Sequence, residues 1–372
     1  MSQPATGHAA RCRGLAASAL ALVLAACAGG CESARCAFLP ASNDAIRWEY
    51  TAGAMPDGIS AYLVDVGPDG DLYLAGVEPQ NGMDARSWHV AFHSRDGGQW
   101  GVALGEETLV GAKRGALHAL DGGGAVVATP AGRLFGLSAD GERVWSETRY
   151  AGRDCISAAN ESGLAIRCES VRGQTDLARY DAQGVELWSR EADGTYPVLH
   201  RNGEVSLVTE LRGSVRVKHI DAMGETAWAH SFPIEPCTAC AIRSVQPLGD
   251  CGLLVLAWEA FEDGVPGTYL VRIDCSGQQI HGGRWSGKHI EYEAEQLATG
   301  HMLLAGMSCS NKQRESDAVL LELDRRGEQV AERWFGREPR EGAVAIRESR
   351  EMGLAIAAVR DEGYWVFEIP TD

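Results

Sequence analysis

Asp181-Ala-Gln-Gly184, with Trp188 four residues after the glycine, and Asp221-Ala-Met-Gly224, with Trp228 at the same distance, are two copies of one mark. Its chemistry is local. An aspartate that opens a turn accepts bonds from backbone amides two residues ahead. The glycine supplies the positive φ that a tight hairpin needs. The tryptophan on the next strand offers a large apolar face to a neighbouring sheet. The mark recurs as Ser94-Arg-Asp-Gly97 before Trp100, Ser138-Ala-Asp-Gly141 before Trp145, Asp274-Cys-Ser-Gly277 and Asp324-Arg-Arg-Gly327. Strand-like runs precede it, among them Trp88-His-Val-Ala-Phe-His93, Val215-Arg-Val-Lys-His-Ile220 and Tyr269-Leu-Val-Arg-Ile273.

A second mark, a glycine opening an apolar strand, alternates with the first. It appears at Gly70-Asp-Leu-Tyr-Leu-Ala, Gly124-Ala-Val-Val-Ala, Gly163-Leu-Ala-Ile, Gly203-Glu-Val-Ser-Leu-Val, Gly252-Leu-Leu-Val-Leu, Gly300-His-Met-Leu-Leu-Ala and Gly353-Leu-Ala-Ile-Ala. Each unit therefore reads as four strands, A to D. The second mark closes the A–B hairpin and the first closes C–D. Seven units of about 47 residues predict an all-β, seven-bladed β-propeller over residues 44–372. Repeat architectures of this kind escape the size limit of a single core, because each unit packs only on its neighbours.

The two ends fit each other. The seventh unit has an A strand at Val344–Arg347, a B strand at Leu354–Val359 and a C strand at Tyr364–Ile369, after which the chain stops. Ala45-Ile-Arg-Trp-Glu-Tyr50 is a Trp-bearing, D-like strand with no A, B or C before it. The expectation is that this N-terminal strand completes the seventh blade and removes an open sheet edge.

Ahead of the repeats stand a basic start, with Arg11 and Arg13, and an apolar run from Leu15 to Ala26 that is too short to span a bilayer stably. It ends in Leu24-Ala-Ala-Cys27, which resembles the bacterial lipobox. That resemblance implies a signal peptide over residues 1–26, cleavage before Cys27 and lipid on its thiol. Residues 27–43 then form a tether of small and polar residues. No aspartate of the enterobacterial retention kind follows Cys27, which favours the outer membrane; the expected place is the cell envelope. Removing residues 1–26 takes away two arginines and no acids, so the formal charge moves from −17 to −19. So acidic a chain is not expected to bind nucleic acid or anionic headgroups.

The Asp-x-x-Gly-x-x-x-Trp marks at Asp181–Trp188 and Asp221–Trp228 resemble the repeats of quinoprotein-type (PQQ-like) propellers. That group holds quinone-dependent alcohol dehydrogenases and also a lipid-anchored scaffold propeller of the outer-membrane assembly machinery. The resemblance implies the fold but transfers no binding residue. Those relatives have eight blades where this chain has seven, and the adjacent Cys-Cys pair of the dehydrogenases is missing.

Cysteines and channel residues complete the reading. Cys155 and Cys168 lie symmetrically about one hairpin and are expected to form a disulfide, since exported proteins sit where disulfides persist. Cys251, opening a B strand, is expected to bond to Cys275, closing the paired C strand. Cys237, Cys240, Cys309 and His289 are of zinc-ligand type, but a lone Cys-x-x-Cys carries little weight, and no metal is expected. His118, His200, Tyr292, Glu293 and Glu295 fall on inner A strands, where side chains can reach the central channel, and are the channel candidates. No Gly-x-Ser-x-Gly, His-Glu-x-x-His or phosphate loop occurs. No cofactor is expected. The functional expectation is a membrane-tethered, non-enzymatic binding or scaffold propeller, with an envelope protein or glycan as partner. The alternative is a propeller enzyme, either a quinone-dependent dehydrogenase or a carbohydrate-active hydrolase or lyase.

Overall fold

Each pair of marks folds as the turn chemistry dictates. The computed structural model describes residues 46–370, apart from 53–59, 78–84, 109–114, 170–173, 212, 235–240, 250, 260–266, 286–291, 298, 309–316, 336–341, 349–352 and 361–362. The described residues hold seven four-stranded antiparallel sheets and no helix. The turn glycines of the C–D hairpins have left-handed backbones, as at Gly141, Gly184 and Gly224, with φ of 79°, 80° and 86°. The turn aspartates accept as expected: Asp181 Oδ1 takes the amides of Gln183 and Val185 at 2.9 and 2.8 Å.

The seven A strands are Ser60–Val66, Ala116–Ala119, Asp154–Asn160, Tyr196–Leu199, Ala241–Leu248, Tyr292–Gln296 and Gly342–Glu348. Each lies beside the next, and the seventh returns to the first, so they ring a central channel. Strands alternate in direction within a blade. The A–B and C–D turns therefore share one side of the disc, here the turn side, and the B–C and D–A connections share the other, the loop side. The apolar core is not central. It is divided into layers, one at each junction between adjacent blades, including the seventh with the first.

The seventh blade closes as expected. Its inner three strands are Gly342–Glu348, Gly353–Arg360 and Gly363–Pro370, and its outer strand is Trp48–Ala52. Trp48 pairs with Glu368 and Ala52 with Tyr364 in an antiparallel ladder. The strand starts three residues later than the sequence pattern suggested, because Ile46 and Arg47 lie outside it, although Arg47 N still donates to Glu368 O at 2.8 Å.

The tryptophans of the mark act between blades. Trp100, Trp145 and Trp188 each donate the indole N–H to a turn carbonyl of the following blade, on Ala139, Ala182 and Ala222 at 2.8, 3.0 and 3.1 Å. Their rings cover the turn glycines Gly141, Gly184 and Gly224, and Trp228 covers Gly277 in the same way. In blade five His281 takes the tryptophan's place and covers Gly327.

Both expected disulfides are present. Cys155 and Cys168 are direct cross-strand partners, with Cα atoms 4.1 Å apart and both side chains buried. Cys251 and Cys275 join the B and C strands of blade five, Cα atoms 4.9 Å apart.

Candidate functional site

Charged side chains converge where the A strands end, at the turn-side mouth of the channel. Asp65 closes the A strand of blade one and accepts the amides of Val66 and Ala119, both at 2.8 Å. His118, near the end of the blade-two A strand, places Nδ1 3.2 Å from Asp65 Oδ2 and Nε2 2.9 Å from Glu161 Oε1. Glu161 sits in the A–B turn of blade three, and its other oxygen accepts the Asp121 amide at 3.0 Å. Arg347, from the A strand of blade seven, reaches across to His118, Asp121 and Glu161. It pairs with Glu161, donates to Asp121 Oδ1 at 3.0 Å and to Ala119 O at 2.5 Å, and approaches His118 Nε2 at 3.4 Å. A second bridge crosses the mouth where Arg201 of blade four meets Glu295 of blade six at 2.6 Å.

The electrostatics follow from this geometry. With a carboxylate at each ring nitrogen, His118 makes both hydrogen bonds only as the imidazolium. Burial opposes that charge, but the bonds and charges of Asp65 and Glu161 outweigh it and raise the histidine's pKa. Burial likewise works against the charged Asp65 and Glu161. Hydrogen bonds from His118 and backbone amides, together with the Arg347 charge, prevail at both. Asp65 is held below the usual carboxylate range and Glu161 falls to about 2. Glu295 goes the other way: burial raises its pKa despite Arg201 and Arg347. Acids and bases here neutralise one another.

Two of the sequence candidates, His118 and Glu295, belong to this cluster. His200 does not, which corrects the expectation that it lines the channel. The A strand of blade four ends at Leu199, and the His200 ring turns back into the blade, where it is 0% exposed. Its Nε2 lies 2.9 Å from Ser206 Oγ, which lies 2.8 Å from His219 Nδ1, while His219 Nε2 lies 2.9 Å from Glu204. Tyr292 and Glu293 fall on the blade-six A strand, but their side chains lie outside the described residues. So do Cys237, Cys240, Cys309 and His289, and so does Cys27. Among the described residues no group of histidines, cysteines and acids could hold a metal ion.

Sequence reading missed Asp65, Asp121, Glu161, Arg201 and Arg347. A signal for them exists. Each precedes an A–B hairpin glycine (Gly70, Gly124, Gly163, Gly203, Gly353) by six residues or fewer. Aligning the repeats on that glycine and asking which A-strand ends carry charge would have found them.

No family model matches the chain, and no curated protein matches it. Solved structures do. BamB from Moraxella catarrhalis is 12% identical over 86% of this chain and all of its own, with a TM-score of 0.43. The propeller domain of Cps50 (Swd1) from Myceliophteria thermophila is 13% identical over 87% of this chain and 99% of its own, with a TM-score of 0.49. The Dos1 propeller is 11% identical over 87% and 94%, also with a TM-score of 0.49. The likeness is one of fold alone. Residue roles come from this chain's own geometry.

Proposed function

We propose that this chain is an envelope lipoprotein, held to a membrane by lipid on Cys27, whose propeller is a non-enzymatic binding or scaffold module. The observation that carries the reading is Leu24-Ala-Ala-Cys27 at the end of an apolar run behind a basic start. The direction of the N-terminal strand supports a placement on that membrane. Trp48 pairs near the end of the last C strand, so the chain reaches the ring from its turn side. On this reading the tether joins the ring at its turn side, which is then the side nearer the bilayer. The loop side then faces away and receives an envelope protein or a glycan. The two charged bridges across the turn-side mouth suit a base that nothing enters.

An enzyme that used His118 as its general base would need a free ring nitrogen. Asp65 behind His118 has the order of such a pair, but His118 Nε2 is engaged by Glu161 and Arg347. The experiment is growth of the parent and Cys27→Ser with labelled palmitate, followed by membrane fractionation. The parent should carry label and sediment with membranes, and the variant should do neither. A variant that still incorporates label and partitions into detergent overturns the reading.

A further inference from the structure

Blade seven is the one blade assembled from both ends of the described chain. Its C strand ends at Pro370 and its D strand is Trp48–Ala52, so no C–D turn joins them. The rings that dock on the turns of blades two to six therefore have no equivalent seat on blade seven. Two other fastenings bear on this blade, at different radii.

At the outer radius Tyr50, on the N-terminal strand, donates its hydroxyl to blade one, with Gly70 O at 2.8 Å and His93 O at 3.2 Å. At the inner radius Arg347 directs its hydrogen bonds past blade one, on which it acts only through its charge beside Asp65. Its acceptors, Ala119 O, Asp121 and Glu161, belong to blades two and three. The guanidinium's forked donors suit several acceptors at once, and its side chain is 13% exposed, so solvent screens these contacts little. Asp65 and Glu161 are arranged around it, and without it they would keep, among the described residues, only His118 as a cationic partner.

We propose that Arg347 is the inner half of a two-point clasp, the N-terminal strand with Tyr50 being the outer half, and that blade seven is the element that opens first when the inner half is lost. A ring of repeats joined by nearest-neighbour interfaces opens at its weakest seam rather than everywhere at once. In this ring the seam is where the covalent chain does not cross between neighbouring strands of a blade. The alternative is that Arg347 merely neutralises channel carboxylates and supports every blade alike.

Amide hydrogen exchange at peptide resolution separates the two, using the parent chain and Arg347→Met. Strands Gly342–Glu348, Gly353–Arg360, Gly363–Pro370 and Trp48–Ala52 should exchange at least about tenfold faster in the variant, with Asp154–Asn160 and Thr226–Pro233 unchanged. Equal acceleration in all blades, or none in blade seven, overturns the clasp. Should Arg347→Met fail to fold, Glu161→Gln removes an acceptor's charge while keeping its shape. It should accelerate exchange in the same four strands, and acceleration confined to blades two and three would likewise overturn the proposal.

Discussion

In blade four, with His219 neutral, the hydrogens of the buried relay have one consistent arrangement. Glu204 accepts from His219 Nε2, His219 Nδ1 accepts the Ser206 hydroxyl, and Ser206 Oγ accepts from His200 Nε2. That leaves His200 Nδ1 as a bare acceptor, and among the described residues it has no hydrogen-bond partner. Protonating it would bury a charge with nothing to meet it. Burial pushes the His200 pKa down to about 3. The folded state therefore keeps His200 neutral at pH values where the unfolded chain binds a proton. Its contribution is intact above about pH 6.5 and is lost progressively as pH falls toward 3, by on the order of 4 to 5 kcal/mol in all. His200→Gln should flatten the acid limb of a melting-temperature profile between pH 4 and 7. A variant with the parent's slope would show that the relay is not the source. In the sequence His200 looked like a channel histidine, because strand alternation names a side but does not say where an A strand stops.

The C–D turn shows one sequence mark performing two tasks at the level of an element. Gly184 has φ of 80°, and a Cβ built on it would lie 2.4 Å from Trp145 Cδ2. Gly97, the corresponding glycine of blade one, has φ of 87° but, among the described residues, nothing within 4 Å of such a Cβ. Gly97→Ala should therefore cost only the backbone strain, about 1 to 2 kcal/mol. Gly184→Ala adds a collision with a docked ring and should cost roughly 2 to 5 kcal/mol. Urea melts of the two variants make the comparison directly, and equal losses would show that the dock contributes nothing. The turn requirement was legible in Asp-x-x-Gly. The dock was legible only in part, as a tryptophan at fixed spacing, because its partner is the turn of the next blade.

Closure belongs to the whole molecule. The C strand Gly363–Pro370 is flanked on one side by Gly353–Arg360 and on the other only by the N-terminal strand. Val366, Phe367 and Ile369 within it are buried. Deleting residues 28–43, which the sequence reads as a tether, should leave melting temperature and elution volume unchanged. Deleting 28–52 uncovers a long apolar sheet edge and should give aggregated or poorly folded protein. Size-exclusion chromatography with a thermal melt checks both. A longer deletion that elutes and melts like the parent would mean that the outer strand is not needed for closure.

Some of this was determined by the sequence alone. Seven A–B hairpin marks, six C–D marks, an A–B–C remnant at one end and a lone strand at the other amount to a closed seven-bladed ring. The Cys155–Cys168 symmetry about one hairpin amounts to a cross-strand bridge. These are local facts: a hairpin brings together residues a few positions apart, so periodicity and turn chemistry suffice. The channel cluster was decided by tertiary structure. Arg347 meets Asp121 and Ala119 across 226 and 228 residues, and Glu161 across 186. No local pattern pairs such positions. They meet because the ring curves through a full turn and brings A-strand ends from blades one, two, three and seven to one mouth, where unpaired charge would be costly and mutual neutralisation is the stable outcome.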